Sequence, residues 1–203
     1  MHAHRVVVSS LVAGAPTGGL QSREPLPALS GVLSDFIRQL LELRPRESRR
    51  TRRNQRLAES FEQGMLRGRI ISNYETGYPE YSYMPQGWKR ELPLMNASSM
   101  VSELAPVVLY LRHIVKPGDL LIIEEPESHL HPAMQVEFTK QLAAAVNAGI
   151  RVLITTHSEI VLEEIANLVR LSDIPKGRRR GIPEAAFALS GNDVGAWFFE
   201  PKD

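Results

Sequence analysis

Two short apolar runs frame the second half of the chain: Leu120-Leu121-Ile122-Ile123 leading into Glu124, and Ile150 to Thr155. Continuous runs of this length, rather than alternating ones, predict strands buried on both faces of a parallel sheet. Between them Ala133 to Asn147 reads as a helix closed by Gly149, and Glu159 to Val169 reads as another. Strand, helix, strand, helix implies right-handed crossovers and an α/β architecture. Upstream the period changes to that of amphipathic helices. Ser34-Asp35 can cap a helix with Phe36, Ile37, Leu40, Leu41 and Leu43 on one face, stopped by Pro45. Glu47 to Leu66 predicts a longer helix, with Leu57, Phe61 and Met65 at i, i+4, i+8 and with Gly64 and Gly68 at its end. Arg69 to Ser72 and Tyr81 to Met84 read as a hairpin-like strand pair, and Ser98 or Ser99 can cap a helix running to about Val115. At the edges, Arg5 to Val8 reads as a strand or buried segment, followed by a loop rich in glycine and proline. Ala185 to Leu189 and Ala196 to Phe199 read as added edge strands.

Composition narrows the class. With 203 residues, 43% of them hydrophobic, the chain can bury the core of one domain, or of a core with one inserted subdomain. A formal net charge of +1 excludes a protein that is basic throughout. The absence of cysteine excludes disulfides and thiolate metal sites. No apolar run approaches the ~20 residues that span a bilayer, and the N-terminus has no cleavage region like that of a signal peptide. The expectation is a soluble cytoplasmic protein.

Chemistry concentrates where the first run ends, in the adjacent carboxylates Glu124 and Glu125. Open α/β sheets bind ligands outside the carboxyl ends of their strands. One carboxylate there can hold a Mg²⁺ that bridges phosphates, and its neighbour can orient or deprotonate a water. By itself the pair reads equally well as a strand that surfaces with two solvated acids. The context shifts the balance. Pro126-Glu127-Ser128-His129-Leu130-His131-Pro132 follows, then a helix, then a second apolar strand ending in Thr155-Thr156-His157-Ser158.

This order and spacing resembles the ABC-type P-loop ATPases, closest to the stand-alone bacterial ATPases similar to the overcoming-lysogenization-defect and DNA-repair ATPases. The resemblance covers about the second half of such a domain, with its motifs between Asn96 and Glu159. It implies the C-terminal lobe of an ABC-type P-loop NTPase with a parallel sheet, plus an inserted helical and hairpin subdomain. The implied organisation is a truncated N-terminal strand and loop over 1–28, a helical signature subdomain with a small hairpin over 29–114, and a core lobe over 115–203. In it Glu124 takes the Walker B metal role for Mg²⁺ and Glu125 is the catalytic base. Ser128 to His131 form the D-loop, including the nucleotide-side residues Ser128, His129 and His131, and His157 senses the γ-phosphate of ATP. Ser98 and Ser99 occupy the place of the ABC signature, a serine-led loop opening a helix that binds phosphate through free N–H groups. Met100 stands where glycine is usual, so the close approach to a nucleotide on another protomer is put in question. Read without the resemblance, the same loop is a serine N-cap with Glu103 completing a capping box.

No G-x-x-x-x-G-K-[ST] occurs in the sequence, and Gly14 to Gly19 lacks the lysine and hydroxyl that grip phosphates and Mg²⁺. The resemblance therefore implies a truncated, internal-start or split ATPase, acting as a homodimer or with a partner chain that supplies the Walker A half. Nucleic acid and a partner nuclease are further implied, in phage defence or plasmid maintenance, and a membrane partner is not. Two other classes stay open: a non-catalytic dimerisation or regulatory module, and a nucleic-acid binder using the stripe Arg49, Arg52, Arg53 and Arg56. That stripe reads better as a solvated helix face paired with Glu47 and Glu59, because no aromatic residues interleave it. A transition-metal cluster of His129, His131, His157 and the two glutamates is the remaining reading, without the spacing of a zinc protease.

Overall fold

The computed structural model describes Arg38, Leu40 and residues 51–75 and 79–199, and they fall into two compact units, Met1–Lys116 and Pro117–Asp203. The strand expected at Arg5 to Val8, the glycine loop and most of the first helix lie outside the described residues.

In the first unit, helix α1 (Thr51–Phe61) runs into a π turn over Glu62–Leu66 that stops at Arg67 in the left-handed region. The sheet has the order β1-β2-β3, built from β1 (Gly68–Asn73), β2 (Glu80–Pro85) and β3 (Leu92–Pro93), antiparallel throughout. Helix α2 (Ser99–His113) follows. Its buried positions Val101, Leu104, Ala105, Val108, Leu109 and Leu111 recur at helical spacing, so one stripe faces the core with Ala58, Phe61 and Met65 of the preceding helical stretch. The hairpin expected from Arg69 to Met84 is present, with Ile70 paired to Tyr83. The third strand is too short and too proline-marked to be read from its sequence.

A buried ion pair ties these pieces together. Glu62, 1% exposed, accepts from the Ile70 N–H at 2.6 Å, and its other oxygen lies 2.6 Å from Arg112 Nη2. Arg112 Nη1 donates to the Ile70 carbonyl at 2.9 Å, so one residue of β1 is held at both its N–H and its C=O. Tyr81 donates to the Leu40 carbonyl and Tyr83 to that of Leu66; burial raises both hydroxyls above the ordinary phenol range, Tyr81 most. Gly68 is required by the same packing. A Cβ there would lie 2.3 Å from the Tyr83 ring and 2.5 Å from the Met84 carbonyl.

In the second unit, β4 (Leu120–Glu124) and β5 (Arg151–Thr155) pair in parallel, linked by α3 (Pro132–Asn147) and followed by α4 (Glu159–Asp173). Helix α3 packs on β5 and on α4. Ala143, Leu168 and Leu189 form a buried cluster with Val146, Val169, Leu171, Phe187 and Val194 around it. Gly149, at φ +85°, closes α3 as expected.

Three expectations fail here. The strands are not buried on both faces: Leu121 is buried, but Leu120, Ile122 and Leu153 are 48%, 58% and 43% exposed. One crossover helix covers one face of a parallel pair, and the described residues of this unit leave the other face open. Ala185 to Leu189 is not a strand; Pro183–Phe187 forms a 3₁₀ turn packed on α3 and α4. Proline at its first position presets the helical φ. Ala196 to Phe199 makes no ladder, and Trp197, Phe198 and Phe199 are exposed.

Candidate functional site

The register of the parallel pair sets the site. Glu124, the last residue of β4, sits opposite Thr155, the last of β5. Alternation puts Glu124 on the open face with Leu120 and Ile122. Glu125 then leaves the strand with φ +44°, a left-handed conformation that a residue with a Cβ adopts at a cost of order 1–3 kcal/mol. The pairing holds it there: its N–H donates to the Thr155 carbonyl at 2.9 Å and to Thr155 Oγ1 at 3.2 Å. That twist turns the second carboxylate away from the direction it would take in a continued strand. Its Oε1 stands 3.7 Å from His157 Nε2. At that separation one water oxygen can hydrogen-bond to both atoms. The His157 side chain is 90% exposed and the Glu125 side chain 33%, so the pair opens to a ligand.

The turn after β4 is locked locally. The Ser128 N–H and hydroxyl both donate to the Glu125 carbonyl, at 3.2 Å and 2.6 Å, which supports the strained residue from its C-terminal side. His131 is the N-cap of α3, its Nδ1 accepting from the Ala133 N–H at 3.3 Å, with Pro132 at the first helical position. His129 is exposed. The structure thus gathers Glu124, Glu125, Ser128 and His157 at the carboxyl end of the parallel pair, and gives His131 a capping contact one turn of chain away.

Ser98 and Ser99 belong to the first unit. Ser98 is the N-cap of α2, its hydroxyl accepting from the Val101 N–H at 3.4 Å. The capping-box position is then Val101, so Glu103 stands two residues too far along to complete the box. Arg52, Arg53 and Arg56 are exposed on α1, and Arg49 lies outside the described residues.

Glu127, Thr156 and Gln135 were not singled out by sequence. Glu127 Oε1 accepts from both Thr156 Oγ1 and the His157 N–H, each at 2.8 Å. A carboxylate two residues beyond the catalytic candidate, inside a turn whose partner loop carries a hydroxyl, was the available signal.

The donor set suits one kind of ion. Glu124 and Glu125 are adjacent hard oxygen donors, and among the described residues no three His, Cys, Asp or Glu group to hold a metal. Mg²⁺ takes one or two protein carboxylates beside substrate phosphates and keeps several waters, so the pair fits it. A transition metal fixed by three or four protein ligands does not fit.

The comparisons with known proteins bear on this geometry. The profile of a family described as an AAA ATPase domain matches residues 35–162, well over half of the 203. No curated protein matches the chain. Among the described residues no helix is long and apolar enough to cross a membrane.

Proposed function

The chain belongs to the AAA ATPase domain family, and on that premise we propose that it contributes the hydrolytic half of an ABC-type ATP site. The observation that carries the proposal is the approach of Glu125 Oε1 to His157 Nε2, 3.7 Å apart at the carboxyl end of a parallel strand pair. Glu125 takes the proton of the water that attacks the γ-phosphate, and His157 hydrogen-bonds that phosphate or the water. Glu124 would hold Mg²⁺, which when bound neutralises charge on the β- and γ-phosphate oxygens. Ser98 and Ser99, at the start of α2, offer N–H groups and hydroxyls to a phosphate. Met100 leaves that contact less room than glycine would.

The phosphate-gripping loop comes from elsewhere, because the sequence holds no G-x-x-x-x-G-K-[ST]. A polypeptide segment outside this sequence carries it and completes the site; a second copy of this sequence, as in a homodimer, lacks it too. The apolar face of β4 and β5 that the described residues leave open supports a further covering element, since parallel pairs occur almost only with both faces covered. Work on nucleic acid, with or without a partner nuclease, is the coupling we infer from the resemblance of the Glu124 to Pro132 run, in the cytoplasm. A non-catalytic module is the second reading, favoured by the missing loop.

The test is ATP turnover. The purified chain is expected to show none above buffer. Mixed with a chain bearing the phosphate loop it turns ATP over, and Glu125→Gln abolishes turnover while retaining bound ATP. Turnover by the chain alone removes the need for a second chain. Turnover in the mixture that Glu125→Gln leaves intact removes Glu125 from the role of base. No turnover in the mixture supports the non-catalytic module.

A further inference from the structure

We infer that Glu127 is a positioning residue that clamps the His157 loop to the turn carrying Glu125, by closing a ring of hydrogen bonds through five residues. The inference rests on the hydrolytic reading for what the clamp achieves, but not for its existence. The ring can be followed atom by atom. Glu127 Oε1 accepts from Thr156 Oγ1 at 2.8 Å and from the His157 N–H at 2.8 Å. Thr156 Oγ1 accepts from the Ser158 N–H at 3.0 Å. Ser158 Oγ donates to Gln135 Oε1 at 2.6 Å, and Gln135 Nε2 donates to the Leu130 carbonyl at 3.0 Å. The Leu130 N–H donates to the Glu127 carbonyl at 2.9 Å, which closes the circuit.

The donor and acceptor roles leave one consistent assignment. A carboxylate only accepts, so the single Thr156 hydroxyl proton goes to Glu127 and its lone pairs serve Ser158. Ser158 Oγ accepts from the Val161 N–H at 3.3 Å as the N-cap of α4, so its proton goes to Gln135. The ring therefore spans three elements: the turn after β4, the first turn of α3, and the loop between β5 and α4. Rings of this kind hold their members more firmly than the same bonds made separately.

Two observations separate a positioning role from mere loop packing. The His157 side chain is 90% exposed, with its Nε2 3.7 Å from Glu125 Oε1. Its place in the site is therefore set through its backbone, and the backbone N–H is what Glu127 holds. Second, Glu127 Oε2 is secluded from solvent without a hydrogen-bond partner among the described residues. A buried carboxylate oxygen left in that state costs stability, so this acid is not explained as the most stable filling of the turn. What the acid achieves is a fixed spacing between the base candidate and the phosphate-sensing candidate. A movement of the Ser128 to His131 turn reaches His157 through this ring and not through side-chain contact.

The test uses the full ¹⁵N-labelled chain without nucleotide and reads amide hydrogen exchange. Glu127→Ala removes the acceptor, so the His157 amide is expected to exchange roughly tenfold faster or more, while amides of Leu142 and Leu168 in the same unit keep their rates. Glu127→Gln retains a carbonyl oxygen that accepts from both donors, so it is expected to restore slow exchange at His157. The inference is overturned if Glu127→Ala leaves the His157 amide unchanged, or if Glu127→Gln exchanges as fast as Glu127→Ala. A general rise that includes Leu142 and Leu168 also overturns it, because the acid then serves overall stability. In the active mixture described above, Glu127→Ala is further expected to lower kcat with KM little changed, and Glu127→Gln to recover it. The exchange measurement needs no ATP, so its failure removes the clamp while leaving the ATPase reading untouched. Conversely, a chain without turnover in any mixture still reports the clamp.

Discussion

His113, in the last turn of α2 beside Arg112, shows what a single side chain records about folding here. Burial first, and the Arg112 charge second, push its imidazole down to about 4 from the ordinary 6.5. The folded state therefore refuses a proton that the unfolded chain accepts. Above about pH 6.5 both states are neutral there and stability is unaffected. As the pH falls from 6.5 towards 4 only the unfolded state gains the proton, so stability drops across that window and levels off below it. Urea midpoints measured stepwise from pH 7 to 4 are expected to fall more steeply in the native chain than in His113→Gln. Equal slopes in the two proteins would mean that His113 is not the group responsible. Nothing in the sequence marks this histidine, because its burial is set by packing and not by its neighbours along the chain. The candidate-site histidine is the opposite case: His157 stands out by its place after an apolar strand in a run that resembles the ABC-type ATPases, and the fold adds its distance to Glu125 and the Glu127 contact to its N–H.

At the scale of elements, helices were read well and strands less well. The stripes on α1, α2, α3 and α4 depend on a period that local sequence carries. The strands of the parallel pair were placed correctly, but their burial was not, because coverage of a sheet face depends on what packs above it. The edge strands expected near Ala185 and Ala196 failed for a related reason: an apolar run becomes a strand only where an edge offers it a ladder. Gly68 shows how a correct residue can be given an incomplete reason. Sequence makes it a helix stop, whereas in the fold it admits the Tyr83 ring onto the backbone of β1. Gly68→Ala is expected to destabilise the chain by about 1–3 kcal/mol, the range for an overfilled core, as measured by urea unfolding at pH 7. Gly118→Ala, where a Cβ meets nothing within 4 Å, serves as the comparison for backbone strain alone, at φ +92°. If Gly68→Ala is as stable as the native chain, the contact with Tyr83 is not what Gly68 provides.

For the molecule as a whole, membership of an ATPase family and a carboxylate pair at a strand end constrain each other. Family membership makes a nucleotide the ligand proposed for the pair, and the geometry gives the two acids different surroundings: Glu124 on the face the described residues leave open, Glu125 twisted towards His157. The two acids are therefore expected to fail differently. In an assembly that turns over ATP, Glu124→Ala is expected to raise the Mg²⁺ concentration needed for half-maximal nucleotide binding by roughly tenfold or more. Glu125→Gln leaves that concentration nearly unchanged while stopping turnover. Titrating Mg²⁺ against fluorescent ATP binding separates the two, and an equal shift in both variants would show that the carboxylates share the ion.

Local sequence determined the elements and the chemistry offered at the carboxyl ends of the parallel strands. Both follow from periodicity, capping residues and the order of motifs, which are properties of neighbouring residues. Only the tertiary structure decided which carboxylate faces His157, which sheet face the described residues leave bare, why Gly68 admits no side chain, and how Glu127 reaches the loop after β5. These depend on residues fifteen to some thirty positions apart brought within a few ångströms, and on what packs over a sheet face. Distances of that kind arise from strand register and packing, and no window of the sequence contains them.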